Sequence, residues 1–138
     1  MKTTKKLGTI VAAIAIVMCT SISVLAASAW DDINDTLPSN QGDTEVSTVG
    51  RADPVNDHFN VIIDSITDGY TAVRAWTEKP IGGNYSNPYF QIDVNDPGYM
   101  WNVYYSTLPA LGANVVLNLD NPVSTTVTPT VKGKWTPN

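Results

Sequence analysis

From His58 onward, apolar side chains recur at every second residue in short runs, and turn-forming residues separate the runs. A period of two is that of a pleated strand, whose successive side chains point to opposite sides, so each run must bury one face against another layer. "HFNVIID" aligns Phe59, Val61 and Ile63, "PYFQIDV" aligns Phe90, Ile92 and Val94, and "MWNVYYS" aligns Trp101, Val103 and Tyr105. "ANVVLNLD" adds Val115, Leu117 and Leu119, and "TTVTPTVKGKW" adds Val127, Val131 and Trp135. In a sixth run, "YTAVRAWTE", Val73 and Ala75 compete with Tyr70, Ala72 and Trp76 for the inner side, and Val73 and Ala75 are the expected inward pair.

Turn residues punctuate these runs. Asp68-Gly69 lies between the first two and Asn95-Asp96-Pro97-Gly98 between the next two, which predicts two hairpins, because Gly tolerates positive φ and Pro fixes its own. "KPIGGNYSNP" connects them, and Asn121-Pro122 punctuates the last pair of runs. The expected fold is all-β: a small antiparallel β-sandwich, Ig-like or an open barrel, of about six strands over residues 58–138. Its core is modest, so each inward ring matters; burying one large side chain contributes about 1.5–3 kcal/mol.

The chain opens differently. Lys2, Lys5 and Lys6 precede an apolar stretch and then small residues, the order of a secretory signal peptide over residues 1–29 with cleavage after Ala26 or Ala29. Cleavage removes Cys19, the one cysteine, and leaves a disulfide-free, acidic protein with five basic residues against thirteen acidic ones. The expected location is secreted or extracellular. A net charge of that sign disfavours nucleic acid as a partner, and no membrane association is expected after cleavage. Residues 30–57 are rich in Asp, Asn, Ser, Thr, Gly and Pro with no sustained period, and read as an acidic flexible leader.

Candidate function resides in the rings. "GYMWNVYYS" packs four aromatic residues into nine positions, and alternation sends Trp101 and Tyr105 to the core and Tyr104 outward with Asn102. If both hairpins share one sheet, Tyr70, Arg74, Trp76, Tyr89, Gln91, Asn102 and Tyr104 share its outer face. Flat rings beside amides and a guanidinium suit a polyhydroxylated ligand; cross-strand aromatic pairing on a solvated sheet, with Arg74 over Trp76, is the plainer alternative.

Catalytic chemistry is sparse. His58 is the single histidine and opens a strand beside Asp57, no G-x-S-x-G segment is present, and Asp68, Asp96 and Asp120 sit at turns. The Asp93–Asp96 run has a sufficient explanation as a turn. The expectation is a non-enzymatic protein with no catalytic residue, cofactor or metal site.

"ANVVLNLDN" followed by "VKGKWTPN" resembles the ending of a family of small secreted gram-positive bacterial proteins of unknown function, some encoded beside lactococcin-type bacteriocin genes. The resemblance runs from about Phe59 to the end and implies a β-rich exported domain with no catalytic residues to carry over. The functional expectation is an envelope-associated binding or accessory protein whose partner is a cell-wall glycan or another envelope protein. The alternatives are a carbohydrate-binding module using an aromatic sheet face and a bacteriocin-system accessory component.

Overall fold

The computed structural model describes residues 29–138, so the signal peptide expected over residues 1–29, and Cys19 with it, lies outside the described residues except for Ala29. Eight strands follow in order: β1 (Asp31–Thr36), β2 (Thr44–Gly50), β3 (His58–Ile66), β4 (Ala72–Glu78), β5 (Gln91–Asp93), β6 (Met100–Tyr104), β7 (Asn114–Asp120) and β8 (Thr130–Thr136). They form two antiparallel four-stranded sheets, sheet I in the order β1-β8-β3-β6 and sheet II in the order β2-β7-β4-β5. The expected all-β sandwich is present, its sheets remain open, and it has eight strands rather than about six.

The pairs β1–β8, β2–β7, β3–β6 and β4–β5 nest inside one another. The chain is thus one long antiparallel ribbon doubled back between β4 and β5, then rolled so that β8 meets β3 and β7 meets β4. Two sheets wound in this way make a jelly roll.

This winding corrects the hairpin expectation. Asp68 and Gly69 do adopt positive φ, 62° and 74°, but they carry the chain from β3 in sheet I to β4 in sheet II. Residues 95–98 likewise lead from β5 in sheet II to β6 in sheet I. A tight turn reverses the chain equally well within a sheet or between sheets, so turn chemistry leaves the partner open.

Residues 30–57 are not a leader outside the sandwich: they supply β1 and β2. Ile33 and Leu37 are buried, while Asp31, Asp32 and Asp35 lie along the sheet edge. Along β2 the register against β7 shifts between Glu45 and Ser47, and Val46 and Val49, three positions apart, both pack on the core. Beyond β2, the buried Arg51 guanidinium donates to the carbonyls of Pro109 (2.8 Å) and Asn56 (2.7 Å), tying the passage into β3 to the loop before β7.

Between the sheets lie Phe59, Val61 and Ile63 of β3, Val73 and Ala75 of β4, Val115, Leu117 and Leu119 of β7, and Val131 and Trp135 of β8, as alternation predicts. Trp135 is fully buried and its Nε1 donates to Ser47 Oγ at 2.8 Å, joining the two sheets. Val103 is buried, and Trp101 and Tyr105, expected in the core, are partly buried and pack against its margin. Val127 is the exception; it precedes β8 and is exposed. At Gly133 the backbones approach so closely that a Cβ would lie 2.0 Å from the Ile62 carbonyl oxygen, beside the register shift between Ile63 and Ser65.

Candidate functional site

The winding also divides the candidate ring surface. Arg74 and Trp76 project from β4 on the outer face of sheet II, Gln91 is Arg74's register partner on β5, and Tyr89 lies just before β5. Asn102 and Tyr104 belong to β6, on the outer face of sheet I at the opposite side of the sandwich. The shared face therefore does not exist, because the two expected hairpins are not in one sheet. Tyr70 stands apart from both groups: it is half-buried, and its hydroxyl donates to Thr125 Oγ1 at 2.8 Å, pinning the loop between β7 and β8.

On sheet II the outward side chains build a concavity of about 390 Å³. Arg74, Trp76 and Glu78, every second residue of β4, contribute to its lining, with Asp120 of β7. Asn84, Pro88 and Tyr89 from the β4–β5 connection and Gln41 and Asp43 from the β1–β2 connection complete it. Part of the connection is held to β4 by the backbone bond from Tyr85 N to Thr77 O at 2.8 Å, and it turns back on itself through Lys79 N to Gly83 O at 3.0 Å. Consequently Trp76 is only 5 % exposed although alternation turns it away from the core, whereas Tyr89 is 74 % exposed.

Strand register sets the polar centre. Arg74 is directly opposite Asp120, and the guanidinium donates through Nε to Oδ1 and through Nη2 to Oδ2, each at 2.6 Å. Such a two-bond pair fixes the guanidinium plane as well as its charge. The same guanidinium carbon lies 5.9 Å from the centroid of the Tyr89 ring, near enough for cation–π attraction. Burial pushes the Asp120 carboxyl above the ordinary carboxylate value, against the two bonds from Arg74, and Asp43 adds to the rise. Next along β7, Asn118 is flanked by its register partners Glu45 and Trp76, is 1 % exposed, and its Nδ2 has no hydrogen-bond partner.

Asp120, Asp43, Gln41, Glu78 and Asn84 are site residues that sequence reasoning did not select. Asp120 reads as a turn residue because Asn121-Pro122 follows it, and Gln41 and Asp43 fall in the supposed leader. Glu78 carried a usable signal, since it continues the outward series Arg74, Trp76.

Asp93 Oδ1 accepts from the Asn95 backbone N–H at 2.9 Å, a turn role. His58 is 3.3 Å from Asp57 Oδ1 and its ring lies 5.6 Å from that of Tyr104, on the other sheet from the concavity. Among the described residues no three His, Cys, Asp or Glu side chains gather as a metal site requires.

No family model, curated protein or solved structure matches this chain.

Proposed function

We propose that this chain is an exported, non-enzymatic binding protein of the cell envelope that takes a polyhydroxylated ligand, of the cell-wall glycan class, in the concavity on sheet II. One observation carries the reading: Trp76 and Tyr89 border the same hollow as the paired Arg74–Asp120 and the amides of Gln41 and Asn84. The exposed Tyr89 ring offers an apolar face to the C–H patches of a sugar above a floor closed by the buried Trp76, and planar polar groups held in place offer donors and acceptors to its hydroxyls. The volume falls at the small end of ligand pockets, about 300–1,000 Å³, which suits one or two sugar rings rather than a long polymer face. The jelly-roll architecture is found in lectin domains, but architecture alone does not assign a ligand.

Tryptophan fluorescence during titration with soluble cell-wall fragments tests the reading. The expected result is a saturable change that Tyr89→Ala abolishes while the thermal midpoint stays near that of the parent. No change across peptidoglycan fragments, teichoic polymers and plant glycans removes it.

A second reading rests on the carboxylates. Asp43, Glu78 and Asp120 converge on this ring-lined hollow, and a burial-raised carboxyl beside a second acid is the arrangement of a glycoside hydrolase. Binding is preferred because the two bonds from Arg74 favour the ionised Asp120 carboxylate, whereas a general acid must carry the proton it gives to a leaving group. Release of reducing ends from the bound glycan, lost in Asp120→Asn, is the result that would favour hydrolysis instead.

A further inference from the structure

The charges around the hollow on sheet II do not balance. Arg74 and Asp120 neutralise each other through two bonds of 2.6 Å, whereas Asp43 and Glu78 line the same space and make no side-chain hydrogen bond or ion pair among the described residues. No second cation of the described residues faces them. Arg51 is buried beyond β2 on two carbonyls, and Lys79, next to Glu78 but turned to the other side, lies 5.7 Å from the ring of Tyr85 in the core. Lys132 and Lys134 project from the outer face of sheet I.

The two uncompensated carboxylates reach the hollow from different elements. Glu78 continues the outward series of β4 past Trp76 and is half-buried, and Asp43 enters from the β1–β2 connection, close enough to Asp120 to help raise its carboxyl. A cleft lined by one sign of charge, with low-dielectric walls, concentrates its field on whatever enters. The exposed Tyr89 ring, which already takes the Arg74 guanidinium at 5.9 Å, adds an aromatic face that attracts a positive charge. The field, the ring and the enclosed volume of about 390 Å³ all favour a small ligand that is itself a cation.

We propose, resting on the reading of this hollow as a sugar site, that its ligand is an amino sugar with a free, protonated nitrogen. The ammonium answers Asp43 and Glu78 beside the Tyr89 ring, and the hydroxyls take the amides of Gln41 and Asn84. Arg74 contributes as well, because its Nη1 makes no bond to Asp120 and keeps its donors for a hydroxyl. An N-acetylated sugar meets the same ring and amides but leaves both carboxylates unanswered, and a sugar acid is repelled by them. Hydrogen bonds to an ionised group are about twice as strong as neutral ones, so the state of the nitrogen governs selection.

Calorimetric titration of the secreted protein, produced from the full chain, tests this in mildly acidic buffer that protonates a sugar amine. The probes are the glucosamine disaccharide of chitosan, its N-acetylated counterpart from chitin, and ethanolamine as an ammonium without a ring. The free-amine disaccharide is expected to bind at least about tenfold more tightly than the acetylated one. The double variant Asp43→Asn, Glu78→Gln is expected to bind the two disaccharides alike. Tryptophan emission and thermal midpoint verify that it folds; if it does not, Asp43→Asn alone, at an exposed position, takes its place with a reduced preference expected.

Equal affinity for the two disaccharides, or a preference that the acid variants retain, overturns the amino-sugar proposal and leaves the sugar reading standing. Binding of other cell-wall fragments with no binding of either disaccharide does the same. Ethanolamine held as tightly as the free-amine disaccharide overturns both, because the sugar ring then contributes nothing, and so does silence towards every probe and fragment.

Discussion

The two outer faces of the sandwich obey the same alternation and have opposite fates. On sheet I most outward residues meet water: Lys132 and Lys134 of β8 and Asn102 and Tyr104 of β6 are exposed, Tyr104 by 64 %, while Asn60 and Thr136, register partners near one end, are buried. On sheet II the outward positions Val116, Asn118 and Asp120 of β7 and Trp76 of β4 are buried. A strand dictates only which side a side chain leaves from. Whether that side is wet depends on neighbouring side chains and on connections beside the sheet, and only sheet II has a long β4–β5 connection and a β1–β2 connection bordering its face. A hollow with fixed polar groups results on one face and a largely solvated surface on the other.

Four measurements sharpen or break that contrast. The largest effect is expected inside sheet I rather than on its face: Gly133→Ala drives a Cβ into the Ile62 carbonyl and should cost more than about 3 kcal/mol, read as a collapse of the urea midpoint. Next, Arg74→Ala strands Asp120 and should cost about 3–5 kcal/mol, while Lys132→Ala on the opposite face should stay within about 0.5 kcal/mol. Comparable losses for the two substitutions would show that the sheet II face is no more buried in solution than its counterpart. A third comparison uses rings alone. Trp76→Ala should cost about 3 kcal/mol and Tyr104→Ala no more than about 0.5 kcal/mol, a difference that chemical denaturation resolves readily.

The smallest effect is in acid. Because Asp120 has a folded pKa raised above 3.8 by burial, its protonated form is favoured in the folded state, and that stability is present below 3.8 and lost as pH climbs through the raised value. Asp53 has the opposite sign. Bonds from the Val55 and Asn56 backbone lower its pKa below 3.8, so its contribution is present above 3.8 and lost as pH falls through the lowered value. Asp120→Asn should flatten the stability profile above 3.8 and Asp53→Asn the profile below it, in urea midpoints taken at stepped pH. An upper slope indifferent to Asp120→Asn would contradict the burial of that carboxyl.

Alternation made β3, β7 and most of β8 legible, because each keeps a strict period of two through the core. It failed at β1, where Ile33 is the one apolar residue in six, and at β2, where the register shift displaces Val46 and Val49 from a common period. Strand partnership was less legible still, since Asp68-Gly69 has the same local conformation whether its strands pair or part. The site inherits both results. Arg74, Trp76 and Tyr89 were found by outward alternation and proximity to β5, while Asp43 and Asp120 required knowing that β1, β2 and β7 lie beside β4.

The nesting of the ribbon places the beginning of the described chain against its end. β1 has β8 as its sole neighbour in the sheet, and the residues they join are separated by most of the sequence. Loop closure on that scale is entropically slow, so the outermost pair must be among the last contacts to settle. A polypeptide emerging in order from its N-terminus therefore cannot complete this architecture before Thr130–Thr136 arrive, and until then Asp31–Thr36 has no strand to pair with in the sheet.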